Sequence, residues 1–191
     1  MNSNILLTGF EVFNEYPVNS SWEVAVEVAS RLPSYAHTKR LPVDFFAAKN
    51  LLRVILDELK PSICLLMGMG NEESICIEQI AHKPDCFETT LSAHTLSGFW
   101  PWQELAAVFT ESQLPVRFSK DAGKYVCEST YWSLLEYRAI RGFPKFAAFL
   151  HIPPIQETLS LDMVVKAVRE AILKRMPAFH GRNLTFMEED R

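Results

Sequence analysis

Short apolar runs alternate with stretches of helical periodicity along most of the chain. The apolar runs predict strands at residues 4–8, 37–43, 62–67, 116–119 and 146–152, and a looser alternation at 74–81 indicates a sixth. Gly9 and Gly68 directly follow the first and third runs, and we expect them to end those strands. Strand–helix alternation of this kind favours a mostly parallel sheet with helices on both faces.

Five segments have apolar residues at helical spacing, which predicts helices at 20–32, 46–59, 103–113, 126–140 and 160–172. Ser20 to Glu23 has the form of a capping box with Ser20 as the cap. Residues 83–100 show no clear pattern. Because no repeat, linker or low-complexity tract divides the sequence, we expect residues 1–191 to form a single α/β domain, with a solvated tail from about residue 177.

Composition narrows the class of partner. The 191 residues carry a formal net charge of −4 and no basic run, which argues against nucleic acid and anionic membrane surfaces. The first residues lack the pattern of a signal peptide, and no apolar run approaches the ~20 residues of a membrane span, so we expect a cytoplasmic protein. The four cysteines form no CxxC pair and are expected to be reduced thiols.

Several polar segments are expected at one edge of the sheet. In mostly parallel α/β sheets, ligands bind beyond the carboxyl ends of the strands. Residues 9–20, residues 68–74, the turn that leads to Cys127, and the end of the strand that carries His151 should all lie there. These segments are the expected components of a site.

Cys127 lies where a strand and a tight turn lead into the first turn of a predicted helix. The free N–H groups and the dipole of a helix N-terminus favour a thiolate there. The same N–H groups can stabilise a developing oxyanion. The alternative is that Cys127 is only a small apolar residue packed at the start of a helix.

His151 and Glu78 could complete a catalytic set with Cys127. One helix and one strand separate His151 from Cys127, which brings the end of that strand back beside the helix N-terminus. An imidazole there can accept the thiol proton and later donate it to a leaving amine. Glu78 lies in an apolar segment, where a carboxylate is costly to bury unless it is paired, for example with an imidazolium. An ordinary core histidine and an exposed edge-strand glutamate are the alternatives.

A metal site is a weaker alternative. Cys76, Glu78 and His82 alternate along the sixth candidate strand and would share one face. Their spacing falls short of a zinc pattern, and the sequence offers no obvious fourth ligand. We therefore expect no metal ion and no cofactor.

Four blocks of this sequence resemble the pyroglutamyl peptidase I family, the pyrrolidone-carboxylate peptidases. The opening blocks LTGFEVF (residues 7–13) and PVNSSWE (residues 17–23) are similar to the family pattern TGFEPFG…PVNPSWE. Residues 75–81 resemble the segment with the family's glutamate, residues 121–127 (DAGKYVC) its nucleophile block, and residues 149–153 (FLHIP) its histidine block. The resemblance spans about residues 4–155, with the glutamate block the weakest.

The resemblance implies a three-layer α/β/α sandwich with a mostly parallel twisted sheet. It also implies a cysteine peptidase that removes an N-terminal pyroglutamyl residue, so that the partner is a small peptide with a blocked N-terminus. Cys127 would be the nucleophile, His151 the general base and then acid, and Glu78 the orienting carboxylate. In the implied substrate pocket Phe10 and Phe13 hold the lactam ring. Asn19, the loop of residues 68–71 with Gly70 and Asn71, and the pair Tyr125 and Val126 complete it.

The departures from the family pattern fall on the substrate side. Residues 68–73 lack the glutamine of the family's GQAGG loop and are one residue shorter, and residues 83–100 do not follow the usual insert. A related thiol amidohydrolase with another small acyl substrate therefore stays open, as does a catalytically silent binding protein of the same fold. The sequence also leaves open whether the chain forms a homo-oligomer.

Overall fold

The computed structural model describes residues 4–13, 16–32, 34–70, 73–85, 91–156 and 159–176. Within them, eight strands and five helices follow one another along the chain. Their bounds are β1 Ile5–Phe10, α1 Ser20–Ser30, β2 Ala36–Leu41, α2 Phe45–Leu59, β3 Ile63–Met69, β4 Ile75–Glu78, β5 Ile80–His82, β6 Thr95–Ser97, α3 Trp102–Glu111, β7 Val116–Ser119, α4 Val126–Arg141, β8 Phe146–Ile152 and α5 Leu161–Leu173.

Six of the strands form one sheet in the order β2-β1-β3-β8-β4-β7. The first four strands in that order are parallel to one another. Strand β4 pairs with β8 in the antiparallel direction, and β7 runs parallel to β4. Strands β5 and β6 form a separate antiparallel pair. The sheet is therefore mostly parallel, as predicted.

Helices cover both faces of this sheet. On one face, α1, α3 and α5 pack over a core that includes Ile5, Leu65 and Leu150. On the other, α2 and α4 pack over a core that includes Leu6 and Phe149. Alternate residues of each central strand point into opposite cores, which explains why these strands are apolar throughout. The arrangement confirms the three-layer α/β/α prediction, and no helix among the described residues is long and apolar enough to cross a membrane.

Gly9 and Gly68 do not end their strands, which corrects the prediction. Both lie inside a strand, at positions where another element approaches the backbone closely. A Cβ atom on Gly9 would lie 2.4 Å from the Cα atom of Trp22, so the start of α1 packs directly on β1. A glycine that interrupts an apolar run can thus indicate a close approach as well as a turn.

Two other predictions about local structure also need correction. The cap of α1 is Asn19, whose side chain accepts a hydrogen bond from the Ser21 N–H, and Ser20 is the first helical residue. The expected strand at 74–81 is two short strands, β4 and β5, separated at Gln79. The direction of β4 matters for the site, because it sets which of its residues reach β8.

Candidate active site

Cys127 and His151 meet at one edge of the sheet. Cys127 is the second residue of α4 and is half-buried, and His151 is the second-to-last residue of β8. Since α4 leads through a short connection into β8, the end of β8 returns to the level of the helix start. Both side chains adjoin Gly68 of β3, and Cys127 is among the groups that raise the pKa of His151. The structure therefore brings together the two residues that the sequence analysis placed opposite each other.

Gly68 makes this close approach possible. Its position on β3 is directly beside His151 of β8. A Cβ atom at residue 68 would lie 2.9 Å from Cys127 Sγ and 3.2 Å from His151 Cδ2, closer than ordinary van der Waals contact. The missing side chain thus leaves the space that the sulfur and the imidazole occupy.

Glu78 contacts the far side of the His151 ring. Its Oε1 lies 2.8 Å from His151 Nδ1, and the side chain is almost fully buried at 1% exposure. Because β4 runs antiparallel to β8, Glu78 and His151 point to the same face. With Nδ1 directed at the carboxylate, Nε2 is the ring nitrogen left for the thiol of Cys127.

The surroundings of His151 favour its charged form. Burial alone would lower the pKa of His151, but its hydrogen bonds to Cys127 and Glu78 outweigh burial and raise the pKa from 6.5 to about 9. An imidazolium at neutral pH would therefore lie between the sulfur and the Glu78 carboxylate. This arrangement suits a thiolate–imidazolium pair.

The other described cysteines are in a different situation. Burial raises the pKa of the Cys64 thiol, and burial with the charge of Glu78 raises that of Cys76 to about 12. Both are buried thiols, whereas Cys127 is partly exposed. Cys86 lies outside the described residues. Among the three described cysteines, Cys127 is the one placed to react with a ligand.

A small cleft of about 30 Å³ adjoins Cys127. Its walls include five of the residues predicted for the substrate pocket, namely Phe10, Phe13, Asn19, Tyr125 and Val126. Met69, in the loop of residues 68–71 that the resemblance implies for the pocket, is a further wall residue, and Val43 is one that the sequence analysis missed. Val43 lies in the connection before α2, where nothing in the local sequence distinguishes it. Met69 is the last residue of the buried strand β3.

Gly70 and Asn71 are the two other residues predicted for the substrate pocket. Gly70 is not among the residues that line the cleft, and a Cβ atom there would lie 3.0 Å from the Cβ atom of His151. Gly70 therefore packs behind the imidazole. Asn71 lies outside the described residues.

Asn19 holds the loop that forms one wall of the cleft. Its side-chain nitrogen donates to the carbonyl oxygen of Glu11 over 2.9 Å. Its side-chain oxygen accepts from the N–H and the hydroxyl of Ser21, over 3.1 and 2.7 Å. These bonds tie the segment after β1 to the start of α1. The contacts of Asn19 thus anchor this loop.

A different group from the one considered in the sequence could approach a metal ion. Donor atoms of His82, Asp121 and Glu128 lie within 4.8 Å of one another, the single group of this kind among the described residues. The Glu128 oxygens already accept hydrogen bonds from the N–H groups of His82 and Ala122. Glu78, which the sequence analysis considered as a metal ligand, is instead hydrogen-bonded to His151. Both Glu128 oxygens are therefore engaged by main-chain N–H groups, and Asp121 Oδ1 accepts from the N–H of Gly123.

Sequence comparison identifies similar proteins over nearly the whole chain. A family model described as pyroglutamyl peptidase matches residues 3–176. The pyrrolidone-carboxylate peptidase of Thermococcus onnurineus is 29% identical over 196 aligned positions, which cover 89% of this chain and 96% of that protein. The protein of the same name from Chromobacterium violaceum is 30% identical over 194 positions, which cover 88% and 90%.

Structure comparison also identifies pyrrolidone carboxyl peptidases. A mutant pyrrolidone carboxyl peptidase from the hyperthermophile Pyrococcus furiosus matches with a TM-score of 0.80 at 26% identity, and the match covers 91% of this chain and 100% of that one. A further structure of the pyrrolidone carboxyl peptidase from the same organism has a TM-score of 0.79 at 25% identity, with 90% and 97% covered.

Proposed function

Because this chain belongs to the pyroglutamyl peptidase family of cysteine-type peptidases, we propose that it removes an N-terminal pyroglutamyl residue from peptides through a triad of Cys127, His151 and Glu78. The observation that carries this proposal is the position of the His151 ring, which is bonded to the buried Glu78 carboxylate and adjoins Gly68 together with the Cys127 sulfur. A nucleophile, a base and an orienting group in contact are the three parts of triad chemistry. Residues 1–191 act as one domain in this proposal.

The first half of the reaction forms a thioester. The Cys127 thiol gives its proton to His151 Nε2, and the sulfur attacks the carbonyl carbon that links the pyroglutamyl residue to the next residue. The C–N bond breaks, and the leaving amine takes the proton from His151. Glu78 keeps Nδ1 protonated, so that Nε2 faces the sulfur and the leaving group.

The second half returns the enzyme to its starting state. Water attacks the thioester carbonyl while His151 accepts a proton from it. The C–S bond breaks, free pyroglutamate leaves, and the sulfur recovers the proton. In both halves the carbonyl oxygen becomes negatively charged, and the N–H groups in the first turn of α4 are suited to stabilise it.

The cleft beside Cys127 suits the pyroglutamyl ring. This ring is flat, uncharged and without a free amine. Phe10, Phe13, Val43, Met69 and Val126 offer it apolar contact. A free amino-terminal residue would place an ammonium group against the same apolar walls, at a desolvation cost.

The test is a comparison of three aminomethylcoumarin substrates that carry pyroglutamyl, prolyl or glutaminyl groups. The prolyl substrate keeps the ring but replaces the lactam by a charged amine, and the glutaminyl substrate opens the ring. We expect turnover of the pyroglutamyl substrate and little of the other two. Turnover of another acyl group in preference would indicate a related amidohydrolase, and no turnover with intact thiol reactivity would indicate a binding protein.

A further inference from the structure

A second buried carboxylate lies directly beside the candidate nucleophile and has no part in the triad. Glu128 follows Cys127 in the first turn of α4 and is only 7% exposed. An ionised carboxylate at that depth is costly unless hydrogen-bond donors compensate for the lost water. Its contacts therefore indicate what it contributes.

Glu128 joins three segments. Its Oε1 accepts from the main-chain N–H of His82 over 2.5 Å, and its Oε2 accepts from the main-chain N–H of Ala122 over 3.2 Å. His82 Nδ1 lies 3.5 Å from the same Oε2. One side chain thus connects the start of α4, the turn before it and the end of β5.

The start of α4 lacks the cap that most of the other helices have. Side chains of Asn19, Asp44 and Ser160 cap α1, α2 and α5, but Tyr125 at the N-cap of α4 makes no side-chain cap bond. The Glu128 carboxylate instead binds the turn that precedes the helix. The direction in which the chain enters α4, and with it the position of the Cys127 sulfur, therefore depends on this contact.

We propose that Glu128 is a positioning residue, which holds the turn before α4 and the end of β5 so that Cys127 stays in line with His151. This inference rests on the proposed function, because it takes Cys127 as the nucleophile. The residue acts through main-chain N–H groups and does not touch the substrate.

The contacts require a carboxylate rather than an amide. Each oxygen of Glu128 faces a main-chain N–H donor, so in Glu128→Gln the new NH2 group would face an N–H whichever way the amide is turned. The negative charge itself would disfavour a thiolate at the next residue. Loss of the charge alone would therefore increase the reactivity of Cys127, whereas loss of positioning would decrease it.

The pH dependence of activity should also reflect the protonation of Glu128. Burial raises the pKa of the Glu128 carboxyl, although hydrogen bonds from His82 oppose the rise. The titratable groups that face it or line the same cavity are His82 on β5, Lys83 and Asp85 after that strand, Asp121 and Lys124 in the turn, and Tyr131 on α4. Protonation of Glu128 as pH falls removes an acceptor, so the acid limb of activity should lie above the ordinary range of a glutamate. Because Glu128→Gln removes this titrating carboxyl, the acid limb of activity should be altered in that variant.

The matched control is Glu136→Gln. Glu136 lies on the same helix, is also buried, and pairs with Arg53. It is eight residues further along α4, about 12 Å at the rise of an α-helix. The same chemical change there tests what loss of a buried carboxylate does to the helix away from Cys127.

The experiment measures two rates in each variant: alkylation of Cys127 by iodoacetamide across pH, and turnover of pyroglutamyl-aminomethylcoumarin. We expect Glu128→Gln to lower both kcat and the alkylation rate on the order of 10–100-fold, the scale of a small misplacement of reacting groups. KM should change less than twofold. Glu136→Gln should leave both rates near those of the wild type, and Glu128→Asp should recover part of the loss because both acceptor oxygens remain.

Unchanged rates in Glu128→Gln, or faster alkylation with unchanged kcat, would overturn the positioning role. If Glu128→Gln does not fold, the Glu128→Asp variant provides the test instead. Wild-type rates in Glu128→Asp, whose side chain is one methylene shorter, would also overturn the positioning role. Failure of the proposed function is distinguishable. In that case the wild type does not turn over the pyroglutamyl substrate, while the alkylation rates still decide the role of Glu128.

Discussion

A methyl group on Gly68 tests whether catalysis depends on the close approach of Cys127 and His151. The Cβ atom of Gly68→Ala would lie 2.9 Å from Cys127 Sγ, 3.0 Å from Phe149 Cζ and 3.2 Å from His151 Cδ2. Ordinary contact begins at 3.4 Å, so the sulfur must move by about 0.5 Å (3.4 minus 2.9 Å). The added methyl group would therefore displace the sulfur, the ring or both from their present positions.

The expected loss follows from that displacement. A misplacement of about 1 Å can cost on the order of 10²-fold in rate, so half of it should lower kcat/KM on the order of tenfold. The added atom should also destabilise the fold by about 1–3 kcal/mol, the usual cost of overpacking a core. Initial rates with pyroglutamyl-aminomethylcoumarin and thermal unfolding measure the two effects separately.

Gly142→Ala is the control for stability alone. Gly142 ends α4 with φ +79°, and a Cβ atom there would have no neighbour within 4 Å. The left-handed conformation costs a non-glycine residue about 1–2 kcal/mol. This variant should therefore unfold at a lower temperature with unchanged kcat/KM. If Gly68→Ala keeps kcat/KM within twofold of the wild type, catalysis does not depend on the space that Gly68 leaves.

Three further substitutions test the other parts of the account. His151→Ala should lower kcat by 10²–10⁴-fold with the fold retained by circular dichroism; near-normal kcat would exclude His151 and make His82 the candidate base. The charged form of His151 stabilises the fold below pH 6.5, and that contribution is lost as pH rises through about 9. Glu78→Gln removes one cause of the raised pKa, so the pKa of His151 measured by NMR titration should fall. The free energy of unfolding should then depend less on pH in this range. An unchanged titration would contradict the contact between Glu78 and His151. Phe13→Ala should cost about 1–3 kcal/mol in kcat/KM while alkylation of Cys127 stays nearly unchanged; an equal loss of alkylation would show that Phe13 acts on the thiol and not on substrate binding.

The sequence predicts the elements that carry Cys127 and His151 well. Strands β7 and β8 have the bounds predicted for them, and α4 begins at the predicted residue. The reason is that β8 is a long apolar run and α4 follows a clear turn. The return of β8 to the level of the start of α4 then follows because a short connection joins the helix to a strand that runs in the opposite direction.

The environment of the site could not be predicted in the same way. The direction of β4 depends on which neighbour it pairs with, and a four-residue apolar segment does not encode that choice. The role of Gly68 depends on the approach of α4, which is distant in sequence. Glu128 looks like a common acidic residue in the first turn of a helix, and its burial results from β5 folding over it.

The most direct test of the central claim is a titration of activity against alkylation of Cys127. Wild-type protein is treated with increasing iodoacetamide, peptide mapping gives the fraction of Cys127 labelled, and the same samples are assayed on pyroglutamyl-aminomethylcoumarin. We predict that activity falls in direct proportion to labelling and reaches zero at one equivalent on Cys127. Activity that persists when Cys127 is fully labelled, or that is lost in proportion to labelling of another cysteine, would contradict the account.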